Sequence, residues 1–270
     1  MRLLMTLVAV LLTALSAAGP AAAEFRAGFG TRVITPQGFE TWTDVDGDAQ
    51  YNPDVDTFND TNGNGVFEAA WMAGFQSGRA AKDVRDDLIA VAAVFDDGET
   101  RIGIVTADVV GLMANFVASV RTAVPPELEL DYVLVHATHN HEGPDTQGLW
   151  GPADFESGVS EAYMARMKAE MVGALEDSVA ALEPALLSMA TIEGYDAALG
   201  TMDTRKPHIL DPGIRVLMLK RNDDSVIGTL VNYGMHVELA WDKNLSFTAD
   251  LAGYLRRGLS TGLEYEGEIV

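Results

Sequence analysis

The sequence predicts an α/β fold, a mixed β-sheet with flanking helices, on three observations. Two continuous apolar runs, Leu88 to Phe95 and Arg101 to Ala107, flank the turn Asp96-Asp97-Gly98-Glu99 and read as buried antiparallel strands. The second run, a stretch of helical spacing from Val110 to Val124 (Leu112, Phe116, Val120) and a third apolar run from Tyr132 follow as strand, helix, strand, the βαβ signature. From Ser157 to Leu182, Met164, Met167, Met171, Leu175 and Val179 recur three and four residues apart, with Arg166, Glu170 and Asp177 opposite. That stripe predicts a long helix lying on the core.

The remaining elements follow in chain order. Met1-Arg2, the apolar run Leu3 to Ala17 and the small residues Ala21-Ala22-Ala23 have the three regions of a secretory signal peptide cleaved near Ala23. The run falls short of the roughly 18–20 residues of a spanning helix; an uncleaved anchor is the competing reading. The rest, residues 24–270, is expected to be a secreted or periplasmic bacterial domain. Without cysteine, it must be held by packing or by metal ions. Glu24 to Thr35 alternates as a first strand and stops at Pro36-Gln37-Gly38. Its Gly28-x-Gly30 lacks the third glycine and the following helix of a nucleotide fingerprint.

Gly38 to Phe67 is rich in Asp, Asn and Gly. Asp44-Val45-Asp46-Gly47-Asp48 and Asp60-Thr61-Asn62-Gly63-Asn64-Gly65 place oxygen ligands at alternate positions. Asp60, Asn62 and Asn64 are therefore candidate calcium ligands in a loop spanning 44–65. Trp71 occupies the twelfth position, where an EF-hand carries glutamate, so the expectation is a non-helical calcium loop or an ordinary polar one. Beyond the long helix, Leu186 to Ile192, Ile214 to Leu219 and Val226 to Tyr233 read as strands. Ala197 to Pro212 is irregular and carries Arg205, Lys206 and His208. Thr248 caps a last helix through Tyr254 and Leu259, with Asp250 in its first turn. No internal repeat is evident. Forty acidic residues against eighteen basic ones give a net charge of −22, which repels nucleic acid and favours divalent cations.

Three of the five histidines, His136, His139 and His141, fall at the end of the strand from Tyr132, before the loop Gly143-Pro144-Asp145. Residues two apart on a strand share a face, so His139 and His141 can approach one point, while His136 belongs to strand packing. His236 ends another apolar run. Imidazoles from two strand ends suit Zn²⁺, which polarises carbonyls and acidifies bound water.

These residues carry a resemblance. Ala27-Gly28-Phe29-Gly30 with Ile34-Thr35-Pro36, Thr138-His139-Asn140-His141-Glu142-Gly143-Pro144, and Val231 to His236 followed by Thr248-Ala249-Asp250 resemble the neutral/alkaline (non-lysosomal) ceramidase family, whose counterparts read AGxGxxDITP and THTHSGP. The resemblance implies a zinc-dependent amidohydrolase acting on linear amides, cleaving the N-acyl bond of ceramide to sphingosine and fatty acid, with peripheral membrane or micelle contact. By position, His139 and His236 match the two histidine ligands. His141 matches the histidine beside the metal that contacts substrate or oxyanion, and Arg205 matches a basic active-site residue. Val33 stands in place of the family's Asp, Asn140 and Glu142 in place of Thr and Ser, and the insertion at 44–65 is outside the common pattern. The family's further ligands, a glutamate and a tyrosine, have no match before Val270, so the resemblance implies an incomplete catalytic domain, its N-terminal portion. Two other readings stand beside this one. They are a hydrolase of another N-acyl lipid or ester at the same site, and a non-catalytic secreted calcium-binding module.

Overall fold

The structure, a computed structural model, describes residues 24–193, 201–211 and 213–261. The expected signal peptide lies outside them. In chain order the elements are β1 (Arg26–Val33), β2 (Trp42–Thr43), β3 (Thr57–Phe58), β4 (Asp83–Val84), β5 (Ile89–Asp96), β6 (Arg101–Ala107), α1 (Ala114–Ala123), β7 (Tyr132–Ala137), α2 (Glu161–Ala180), β8 (Glu183–Pro184), β9 (Leu186–Ile192), β10 (Ile214–Lys220), β11 (Val226–Tyr233), β12 (Ser246–Phe247) and α3 (Asp250–Thr261).

The predicted mixed sheet is present, in the order β7-β6-β5-β1-β8. β5 and β6 pair antiparallel across the Asp-Gly turn, and β6 and β7 pair parallel, as the strand–helix–strand reading requires. A separate antiparallel sheet runs β11-β10-β9. It touches the main sheet where Phe29 lies on Gly228, so closely that a Cβ there would sit 2.3 Å from the ring. The far strand, β9, is exposed along its whole length. Among the described residues no helix is long and apolar enough to cross a membrane.

α2 begins at Glu161, with the Ser160 hydroxyl accepting from the Tyr163 N–H at 3.3 Å. Met167, Met171 and Leu175 are fully buried, and Met164 and Val179 pack half-buried against the same cluster. The two glycines of β1 make this seat. A Cβ on Gly28 would lie 2.1 Å from the Ser178 carbonyl oxygen, and one on Gly30 2.3 Å from that of Ala174. The Gly-x-Gly is thus a close helix contact, with Arg32 fastened to Asp177 at 2.6 and 2.8 Å alongside.

Three expectations need correction. α1 starts at Ala114 rather than Val110, because the carbonyls of Val109 and Val110 are engaged by Asn140 N–H (3.1 Å) and by His139 Nδ1 (2.7 Å). His136 lies in β7 but is exposed, not packed. And there is an internal repeat. Asp44 accepts from Gly47 and Ala49 N–H, and Asp60, sixteen residues on, accepts in the same way from Gly63 and Gly65. β2 and β3, one before each loop, pair antiparallel. The buried Asp56 carboxylate binds the N–H groups of Val45 and Asn52 in the first loop; the buried Glu40 carboxylate binds the equivalent Thr61 and Glu68 in the second. Each repeat therefore supplies the carboxylate that closes the other's loop.

Because backbone faces each β1 glycine, added volume must push α2 away. Gly30→Val is expected to lower stability by about 1–3 kcal/mol, read as a fall in the urea midpoint. An unchanged midpoint would contradict this account of the contact.

Candidate metal centre

The site forms where β7 runs out beside β6. Thr138 N–H bonds to Ala107 O at 3.0 Å, and Asn140 N–H to Val109 O at 3.1 Å, so the chain stays alongside its neighbour past the strand end. His139 then takes a left-handed conformation, with φ of 63°. His139 and His141 meet by this turn, and not by simple strand alternation. Val237 bridges Asn140 in parallel, and its carbonyl accepts from His141 N–H at 3.0 Å. That bridge carries His236 in beside the other two.

His139, His141 and His236 converge, with ligand atoms all within 4.8 Å of one another. Their ring centroids are 4.6 to 5.1 Å apart. The Nε2 atoms of His139 and His141 face each other at 3.3 Å. Tetrahedral zinc with Zn–N bonds of about 2.0–2.1 Å holds neighbouring ligand atoms about 3.3 Å apart, so this pair fits such an ion. His139 Nδ1 donates to the Val110 carbonyl, which fixes the tautomer and leaves Nε2 free as a ligand atom. His141 is 7 % exposed. Burial, the charges of His139 and His236, and that of Arg79 depress its pKa to about 4, so it is neutral at pH 7, the form a metal requires. His236 stands at the open side, with 62 % of its side chain exposed.

Behind His141 lies a buried polar support that the sequence did not signal. Arg79, fully buried, donates from Nη2 to the carbonyls of Ala73 (2.5 Å) and His141, and its guanidinium lies 4.8 Å from the Phe75 ring. Phe75 in turn packs edge-on against His141. Arg79 Nη1 is 3.4 Å from Glu142 Oε2, with neither side chain exposed. Burial raises the Glu142 pKa to about 7, opposed by Arg79 and by the Asn244 amide, which donates at 2.7 Å. Asn140, also buried, donates to Thr248 O at 2.9 Å and accepts from Glu142 N–H at 3.1 Å. Asp145 gathers N–H groups of the following loop, among them Gln147, Gly148 and Gly158 at 2.9 to 3.0 Å.

The remaining candidates make other contacts among the described residues. Arg205 is 89 % exposed and pairs with Asp203; no hydrogen bond or ion pair joins it to the histidines among the described residues. His208 is exposed, on the Asp203 carbonyl. In the acidic loops, Asp60 accepts backbone N–H groups, and the amides of Asn62 and Asn64 donate to Glu68 at 2.7 and 2.9 Å. A carboxylate cluster of Asp44, Asp46 and Asp56 occupies the first loop. A cleft of about 560 Å³ lined by Phe39, Glu68, Trp71, Tyr163 and Arg166 includes none of the three histidines.

No family model matches the sequence, and no curated protein does. Solved structures do. The neutral ceramidase of Pseudomonas aeruginosa superposes with a TM-score of 0.64 at 18 % identity, over 92 % of this chain and 37 % of that one. The fold is shared with neutral ceramidases. A ceramidase complexed with C2 gives 0.63 at 17 % identity, over 91 % and 36 %. The present chain thus spans little more than a third of the length of these ceramidases.

The buried support makes a direct demand. Arg79→Met leaves Glu142 without its cationic partner and is expected to cost about 3–5 kcal/mol; the double variant Arg79→Met/Glu142→Leu should recover part of that loss. Urea unfolding of the four proteins in the cycle measures both, and additive losses would mean that the pair is uncoupled.

Proposed function

We propose that this chain forms part of a zinc-dependent amidohydrolase that cleaves the N-acyl bond of a ceramide-like lipid, releasing a sphingoid base and a fatty acid. The observation that carries the reading is the convergence of His139, His141 and His236 on a fold shared with neutral ceramidases. His139 and His236 are the proposed ligands. When bound, zinc supplies polarisation of the amide carbonyl and a water acidic enough to react near neutral pH. His141, neutral and held from behind by Arg79 and Phe75, is the proposed substrate contact beside the metal. Arg205 is retained from the resemblance as a basic substrate contact.

A second reading of His141 has an observation in its favour. The 3.3 Å between its Nε2 and that of His139 suits a third zinc ligand. The two readings differ in one measurement. As a substrate contact, His141→Ala keeps zinc and loses fatty-acid release; as a ligand, it loses zinc as His139→Ala and His236→Ala do. Wild-type protein is expected to bind one zinc ion. Retention of zinc by both His139→Ala and His236→Ala would refute the ligand assignment. A panel of N-acyl lipids and esters, assayed for fatty-acid release, decides between ceramide and another acyl substrate.

The reading extends to the acidic loops and to location. Calcium in the paired loops is supported by the carboxylates of Asp44, Asp46 and Asp56 and by Asp60, Asn62 and Asn64 at the repeated positions. Thermal melts should shift upward with millimolar calcium, and an unmoved melting temperature leaves only a polar surface loop. Export is supported by the first 23 residues, and contact with a membrane or micelle surface by the lipid nature of the proposed substrate.

A further inference from the structure

Glu238 follows His236 by two residues and comes from no recognised motif. One of its carboxylate oxygens, Oε2, lies 3.3 Å from Nδ1 of His141 and 3.5 Å from Nδ1 of His236. The same atom thus lies within 3.5 Å of two of the three imidazoles. The third, His139, has its own Nδ1 on the Val110 carbonyl. Each ring therefore has its Nδ1 next to an acceptor oxygen, which leaves Nε2 as the free nitrogen on all three. Nδ1 of His141 is buried and makes no completed hydrogen bond. The Gly74 backbone presses on the same ring, close enough that a Cβ would lie 2.6 Å from that nitrogen. Glu238 differs from Gly74 in bringing a negative charge and in reaching His236 as well. Its side chain is 29 % exposed, so it keeps contact with water.

From this geometry we infer that Glu238 is the positioning carboxylate of the metal centre, a shared outer-shell acceptor that fixes the tautomer and orientation of both His141 and His236. The inference rests on the metal reading above. A carboxylate on the far nitrogen of a ligating imidazole makes the near nitrogen a better donor, and its loss typically weakens metal binding about 10–100-fold. One carboxylate across two rings also couples them. If either ring turns away, the carboxylate is left with a single partner, so the pair is held in register before metal arrives.

The test uses the chain as described and needs no turnover. Zinc affinity is measured by competition with a chromophoric chelator, and cobalt(II) absorption reports the ligand set. Glu238→Gln is expected to bind zinc about 10–100-fold more weakly, with the cobalt bands unmoved at saturation and the metal-free melting temperature unchanged. Glu238→Asp, which keeps the charge on a shorter arm, should recover part of the affinity. Unchanged affinity in Glu238→Gln overturns the inference. So do cobalt bands that shift at saturation, since they would make Glu238 a direct ligand, and an affinity lost only in step with a lowered melting temperature. Wild-type protein that takes up neither metal defeats the metal reading itself, a result separable from all of these.

Discussion

The backbone bridge between Asn140, His141 and Val237 is the constraint on which the arrangement of imidazoles depends. It joins two segments nearly a hundred residues apart in sequence, and His141 N–H to Val237 O is its central bond. On one side it fixes the turn that carries His139 and His141; on the other it fixes His236 and Glu238. Asn140 extends the bridge by donating to Thr248 O, which ties in the start of α3. A buried backbone group must find a partner, and here those obligations are met across the site rather than within single elements. The centre is therefore specified by the fold before any ion is considered.

Around that bridge the charges are distributed unevenly. The chain is strongly acidic, yet the one fully buried guanidinium among the described residues, Arg79, stands directly behind the histidine loop. It reads two backbone carbonyls and faces Glu142, whose own carboxylate is pushed by burial toward the neutral form. Such a pair is costly to assemble and costly to break from one side. It holds the loop in one place. The open side of the centre is lined differently, by an exposed imidazole, a partly exposed Glu238 and an exposed Trp241 packed on Phe75.

Much of this was legible in the sequence, for physical reasons that also set the limits. Continuous apolar runs and near-four spacings are imposed by burial, so β5, β6, β7 and α2 could be read directly, and the spacing of His139 and His141 pointed to one site. The start of α1 is not legible in the sequence because the carbonyls of Val109 and Val110 are claimed by residues far along the chain, which local spacing does not record. Arg79 was silent for the same reason: it matters through contacts with residues that no periodicity links to it, whereas Glu238 stands two residues past His236 and its reach to His141 is what the sequence does not record. The glycines of β1 had the look of a fragment of a nucleotide motif, and their use is a helix contact. The repeat in the acidic region is masked in the sequence because Asp and Asn, or Gly and Ala, do the same hydrogen-bonding work in the two copies.

That repeat has a consequence for how the region can vary. Glu40 precedes the first loop and closes the second, while Asp56 precedes the second and closes the first. Deleting one copy would strip the survivor of its carboxylate and leave two backbone N–H groups of its loop unanswered. The segment from Glu40 to Glu68 is accordingly one structural unit. Homologous chains should carry both copies or neither, and a graft into another scaffold has to move the pair together.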